Sequence, residues 1–182
     1  YKIYYNDGDT VKNAPLLSAP MIIYNNRSVS SIPVLGQNGT IKLIKNDSSG
    51  YNVVIIKSYE TYVVNNYSKL NSIITDKNGK PNIELIPNEY VIYDAANKSI
   101  SPDTLAEWDV LSVAKSLNDQ FMEIVVSKQK INGKLTAIGD DDSGNKEFII
   151  NDTAYLLTEE LKLTYENCIS LGDIADYYLD RR

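Results

Sequence analysis

The chain has 182 residues, a formal net charge of −6 and no histidine, which excludes His-ligated metal sites and every Ser-His or Cys-His catalytic arrangement. Its 18 basic residues, set against 24 acidic ones, are scattered singly, so the charge pattern carries no footprint for nucleic acid and works against attraction to an anionic membrane surface. No run of about 18 apolar residues is present, so no helical membrane span is expected, and the length fits one large domain or two small ones.

Residue usage favours strands. Ile (21), Val (12), Tyr (14) and Thr (9) are abundant while Ala is only 9, and the first four are β-formers whereas Ala is the best helix former. The first residue is Tyr1 rather than Met, which leads to the expectation of a processed chain or a fragment; no signal peptide is visible. The single Cys168 has no partner for an internal disulfide.

In chain order, apolar alternation predicts strands at 2–5, 20–25, 39–45, 51–57, 61–65, 70–75, 83–86 and 90–94. It continues with strands at 109–115, 121–127, 133–138, 146–151, 154–157 and 173–179. Turn residues separate them at 6–8, 38–39, 48–50, 78–79, 118–119, 132–133 and 143–144, where Asn, Asp, Ser and Gly tolerate left-handed backbone or bond their own main chain. Helix signals are few. Ser101, Pro102 and Asp103 supply a cap, a first-turn proline and an acid for one or two turns up to Trp108, and 158–161 is a second candidate turn. Closely spaced strands with little helix predict a mainly β fold: two tandem small β-barrel or sandwich modules with one or two short helical turns.

An internal repeat supports the tandem reading. Segment 39–56 aligns without gaps on 133–150. Seven of 18 positions are identical: Gly39/Gly133, Ile44/Ile138, Asp47/Asp141, Ser49/Ser143, Gly50/Gly144, Ile55/Ile149 and Ile56/Ile150. With a one-residue shift Tyr62-Val63-Val64 meets Tyr155-Leu156-Leu157, and upstream Ile22-Ile23-Tyr24-Asn25 resembles Val91-Ile92-Tyr93-Asp94. The same order of elements is therefore expected in both halves, with modules at 1–86 and 87–182 joined near Gly79-Lys80-Pro81. Ile41, Leu43, Val53 and Ile55 are the candidate core of the first hairpin. In the second the matching positions are Leu135, Ala137, Glu147 and Ile149, but Glu147 interrupts that face, so Phe148 and Ile150 are expected to be buried and Glu147 exposed.

The second half has Trp108-Asp109-Val110-Leu111-Ser112-Val113-Ala114-Lys115-Ser116 ahead of Ile124-Val125-Val126-Ser127, then 133–138, then Leu171-Gly172-Asp173 and Tyr178-Leu179-Asp180. The first half carries matching wording at 39–44, 46–50 and Tyr59-Glu60-Thr61-Tyr62-Val63-Val64. This resembles the β modules that accompany S-layer homology repeats in cell-surface proteins of Gram-positive, clostridial-type bacteria. The resemblance implies an exported, wall- or surface-layer-associated protein and no activity. It also implies that anchoring belongs to another part of the parent protein, because the S-layer homology repeats are not in this chain. The family pattern continues past Asp180 with a Gly-containing turn and one more strand, whereas this chain stops at Arg181-Arg182.

Candidate chemistry is sparse. Asp140, Asp141 and Asp142 concentrate carboxylates in one turn, where hard cations such as calcium find oxygen ligands. The spacing is not that of an EF-hand, and a solvated hairpin turn is the plainer reading beside weak calcium binding. No other cofactor is implied. Cys168 has no thiolate-stabilising neighbour in sequence and reads as a buried or semi-buried structural residue. Tyr4, Tyr5, Tyr59, Tyr62, Tyr67, Tyr177 and Tyr178 could stack on sugars but more commonly pack across sheets, and Trp108 is expected to plug a core. Three functions follow in order: a non-catalytic structural or interaction module of a surface protein, with cell-wall or surface-layer components as partners; a carbohydrate- or cell-wall-binding module; and a surface hydrolase using an Asp/Glu pair. No nucleic-acid partner is expected, and nothing in the sequence specifies an oligomeric state.

Overall fold

The computed structural model describes residues 2–7, 10–33, 39–45, 50–118, 120–142 and 144–181. The chain is mainly β. Its strands are β1 (Lys2–Asp7), β2 (Thr10–Tyr24), β3 (Arg27–Val29), β4 (Gly39–Ile44), β5 (Tyr51–Ser58), β6 (Glu60–Ser68), β7 (Ile73–Asp76) and β8 (Ile83–Glu84). They continue as β9 (Tyr90–Asp94), β10 (Val110–Lys115), β11 (Met122–Ser127), β12 (Lys130–Asp140), β13 (Lys146–Ile150), β14 (Thr153–Leu156) and β15 (Ile174–Tyr178). Both expected helical turns form: a 3-10 turn at Pro102–Thr104, whose Ser101 side chain accepts from the Asp103 amide, and α1 (Glu159–Thr164), capped by Thr158. A second 3-10 turn, Tyr165–Asn167, follows α1.

The strands form open sheets. One runs β1-β2-β5-β4 with β3 on β2, one β8-β7-β6-β10-β11-β9, and one β14-β13-β12-β15. The chain divides into two compact units, each built from discontinuous segments. The first comprises Tyr1–Glu60, Ile86–Ile92 and Val113–Ile124; the second comprises Thr61–Leu85, Tyr93–Ser112 and Val125–Arg182. The boundary expected at 86/87 lies one residue from a crossing between units, but residues of each expected module contribute to both.

β2 starts well before the expected residue 20 because prolines hid it. Pro15 ends the ladder with β1, opposite Lys2, and Pro20 falls in the gap of the parallel ladder between Leu16↔Tyr51 and Met21↔Val53. A residue without an N–H is tolerated at both places.

Both repeat segments are antiparallel hairpins, and they begin in the same register. Ile41 stands opposite Ile56, and the aligned Leu135 stands opposite Ile150. The shared glycine is needed where the strands approach. A Cβ at Gly39 would lie 2.1 Å from the Lys57 carbonyl oxygen, and one at Gly133 would lie 2.5 Å from Ile150 Cγ2. Past that point a bulge between Leu135 and Ala137 shifts the second hairpin by one residue, with Thr136 Oγ1 donating to the Ile149 carbonyl at 3.0 Å. The turn expected at 48–50 lies outside the described residues except for Gly50, and the one at 143–144 is described only at Gly144 (φ 78°). The turns at 6–8, 38–39 and 118–119 also include residues outside those described.

The parallel between the halves ends with the hairpins. After β13 the chain reverses through Asn151 and Asp152, both at positive φ, and β14 pairs back on β13. Lys57-Ser58-Tyr59 offers no such residue, so the chain passes from β5 into β6, which belongs to another sheet. Facing positions explain a second correction. Odd residues of β4 stand opposite even residues of β5, so the core of the first hairpin is Val54 and Ile56, with Ile22 and the flanking Leu43. Ile41 is exposed, and Val53 and Ile55 are half-buried. In the second hairpin Phe148 and Ile150 are buried with Leu135 and Leu157, as expected, while Ala137 is exposed. Glu147 is half-buried rather than exposed.

Candidate functional site

Two side-chain assemblies stand out, one in each unit. In the second unit the backbone of Trp108 is left-handed (φ 73°), which costs a non-glycine residue roughly 1–2 kcal/mol. Its amide donates to the Val64 carbonyl, and the Val64 amide donates to the Asp109 carbonyl, both at 2.9 Å. The buried Asp109 carboxylate accepts from the Ala106 amide at 2.9 Å and pairs with Lys128 at 2.9 Å. The indole held this way is 45% exposed, so it is not a core plug. It stacks on Tyr178 (centroids 5.1 Å, planes at 17°), Lys77 Nζ lies 3.9 Å from its centroid, and Lys130 Nζ lies 5.8 Å from that of Tyr178. Glu107 pairs with Lys77 and Asp176 with Lys130. Hydrogen bonds from Asn132 and then Lys130 hold the Asp176 carboxyl below its ordinary range.

In the first unit, β2 and β3 are joined by Asn25 and Asn26, both at positive φ (43° and 70°), the pattern of a tight type I′ hairpin turn. Asn25 is fully buried. Its Nδ2 donates to the carbonyls of Ser58 (3.1 Å) and Lys115 (2.6 Å), its Oδ1 accepts from the Ser58 amide (2.9 Å), and its amide donates to the Ile56 carbonyl (3.0 Å). The turn is thereby clamped to the end of β5 and to β10. Arg27 lies over the Phe121 ring at 5.7 Å. Asn26 then meets Lys57 and Glu123: Lys57 Nζ donates to Asn26 Oδ1 (2.7 Å) and Glu123 Oε2 (2.5 Å), and Asn26 Nδ2 donates to the same Oε2 (3.0 Å).

The other sequence candidates are placed as follows. Asp140 is exposed and pairs with Lys146 at 2.9 Å, and Asp141 accepts from the Asn145 amide at 2.7 Å and from Asn145 Nδ2. Asp142 is exposed. Among the described residues no group of three or more acidic or Cys side chains gathers around one point. Cys168 is exposed rather than buried or semi-buried, because it follows the second 3-10 turn, which its amide closes onto Tyr165. Tyr62 is buried and Tyr4 is exposed; Tyr4 and Tyr59 belong to the first unit, and Tyr62, Tyr67, Tyr177 and Tyr178 to the second. The side chain of Tyr5 lies outside the described residues. Sequence reading missed Asn25, Asn26, Lys57 and Glu123. The adjacent asparagines between two apolar runs are a local signal for the turn; the lysine and glutamate carry none, because 31 and 97 residues separate them from Asn26. No family model, curated protein or solved structure matches this chain.

Proposed function

We propose that the chain is a non-catalytic structural and interaction module of an exported cell-surface protein, related in kind to the β modules that accompany S-layer homology repeats. The observation that carries this reading is how its polar side chains are used: they fasten distant segments to one another. Asn25 clamps β2, β5 and β10, Lys69 holds Asp103, Lys80 holds Glu160, and Lys130 holds Asp176. Such fastening keeps open sheets together without a disulfide, the one cysteine being free. No helix among the described residues is long and apolar enough to cross a membrane. An antibody against the chain, applied to fractionated cells of its source, is expected to find it in the wall or surface fraction; recovery in the cytosol alone would sink the reading. A hydrolase screen supplies the second arm: turnover abolished by replacing a single carboxylate would overturn the non-catalytic assignment.

The Trp108–Tyr178 stack favours a second reading, carbohydrate or cell-wall binding. A half-exposed indole held in left-handed backbone is a feature found at ligand sites, and flanking charges could bond sugar hydroxyls. The chain has one tryptophan, so its fluorescence reports on this place alone. Saturable quenching or a blue shift with wall oligosaccharides would support binding, and an unchanged spectrum at millimolar sugar would dismiss it.

A further inference from the structure

We propose that Lys57 and Asn26 become joined by an intramolecular isopeptide bond, with Glu123 as the proton carrier. An amine, a carboxamide and a carboxylate here form a closed triangle in which every pair is in hydrogen-bond contact. Lys57 Nζ touches Asn26 Oδ1 at 2.7 Å and Glu123 Oε2 at 2.5 Å, and Asn26 Nδ2 touches that same Oε2 at 3.0 Å. A second group of the same composition is built differently: Lys130 and Asn132 use different oxygens of Asp176. Only a shared oxygen can take a proton from the amine and deliver it to the amide nitrogen without the carboxylate turning.

The balance of the reaction closes within the triangle. The Lys57 ammonium passes one proton to Glu123 Oε2, and the neutral amine adds to Asn26 Cγ. A second Nζ proton reaches Nδ2 through the carboxyl, the Cγ–Nδ2 bond breaks, and the nitrogen leaves as ammonia. Ammonia takes the remaining proton from Glu123, so the carboxylate is restored and the products are one secondary amide and one ammonium ion. No oxidant, metal or co-substrate enters.

Three features of the site drive a step that is slow between free molecules. The first is fixed placement. Asn26 sits in a turn whose neighbour Asn25 is buried and bonded to Ser58 and Lys115, and held geometry of this kind reaches effective molarities of roughly 10⁵–10⁸ M. The second is partial exclusion of water. The side chains of Lys57 and Glu123 are 20% and 16% exposed, which limits competition from water for the Asn26 carbonyl carbon. The third is the leaving group's route: Asn26 is exposed, so ammonia escapes to solvent and the step runs forward. A cross-link here would tie the β2–β3 turn to β5 covalently, and it does not depend on where the protein resides.

Intact mass spectrometry of the purified full chain tests the assignment. The expected mass is that of the sequence less one ammonia, and a proteolytic digest should contain one branched peptide carrying both Asn26 and Lys57. Succinimide formation at Asn38-Gly39, Asn78-Gly79 or Asn132-Gly133 also expels ammonia, but it yields no branched peptide and is indifferent to position 57. Lys57→Ala, Asn26→Ala and Glu123→Gln should each restore the full sequence mass. If Glu123→Gln does not fold, the peptide map of the unaltered chain still decides. A chain that stays at its full sequence mass after prolonged incubation, with a Lys57 that trypsin cleaves normally, overturns the proposal.

Discussion

Replacing Asn25 probes the clamp on the β2–β3 turn. Asn25→Ala removes three side-chain hydrogen bonds and deprives the Ser58 amide and the carbonyls of Ser58 and Lys115 of the Asn25 side chain. Each unsatisfied buried group costs about 1–3 kcal/mol, and alanine at φ 43° adds roughly 1 kcal/mol over asparagine. Allowing for partial rehydration, the expected loss is about 3–5 kcal/mol. With a urea slope of about 2 kcal/mol/M, the unfolding midpoint falls by roughly 2 M. Asn25→Asp is the sharper test, because it keeps the shape and the acceptor for Ser58 but turns a carboxylate toward two carbonyl oxygens at 3.1 and 2.6 Å. The carboxyl introduced there should have a folded pKa raised above its unfolded value of about 3.9. Stability relative to the alanine variant is then fully present below about pH 4 and lost as pH rises through the folded pKa. Both variants belong in a Lys57→Ala background, so that a covalent link at Asn26 does not mask the effect, with circular dichroism as the readout and hydrogen exchange at the Ser58 amide as the local one. An alanine variant within about 1 kcal/mol of its parent, or an aspartate variant of unchanged stability at neutral pH, would refute the clamp.

Phe148→Ala should cost roughly 3–5 kcal/mol, because Phe148 is buried with Leu135, Ile150 and Leu157 and meets Tyr165 and Tyr177 edge-on at 5.6 and 6.4 Å; Glu147→Ala should cost under about 1 kcal/mol by the same denaturation measurement. Burial alone would raise the Glu160 carboxyl, but bonds from Lys80, the backbone and Thr158 leave it lowered. Its contribution is therefore present above about pH 4.5 and lost as pH falls through the folded pKa. Glu160→Gln should flatten that acid limb of a stability–pH curve, and an unchanged limb would show the ion pair with Lys80 to be idle. Calorimetry with calcium should give no affinity tighter than about millimolar, since Asp140 and Asp141 are already engaged by Lys146 and Asn145; a micromolar site would mean that the turn reorganises. Cys168→Ser, at an exposed position, should leave the melting temperature unchanged within error.

Local chemistry made much of this fold readable. Period-two alternation located most strands, and Ser101-Pro102-Asp103 marked its turn. The match between 39–56 and 133–150 foretold two hairpins whose glycines sit at the same close approach. What could not be read is long-range. The core face of the first hairpin depends on the register across 45–50, and a one-residue difference moves burial from Val53 and Ile55 to Val54 and Ile56. The bulge beside Thr136 depends on a bond to Ile149 that no spacing announces. Trp108 reads as core from its place on a short helical turn, yet a left-handed backbone turns it outward onto Tyr178, 70 residues away in sequence. Lys57 and Glu123 are ordinary strand residues until the fold brings them to Asn26.

The discontinuous make-up of the units orders events in time. The first unit needs Val113–Ile124 as well as the first 60 residues, and the buried Asn25 waits for the carbonyl of Lys115, 90 residues downstream. As the chain emerges from a ribosome or a secretion channel, two-thirds of it must appear before that bond can form. Pairings of such high sequence separation close slowly, and meanwhile the incomplete first unit is open to misassembly or to capture by a chaperone. A fragment ending at residue 86 should accordingly be unable to complete its first unit, whereas one extended past Ile124 should close it within a single cooperative step.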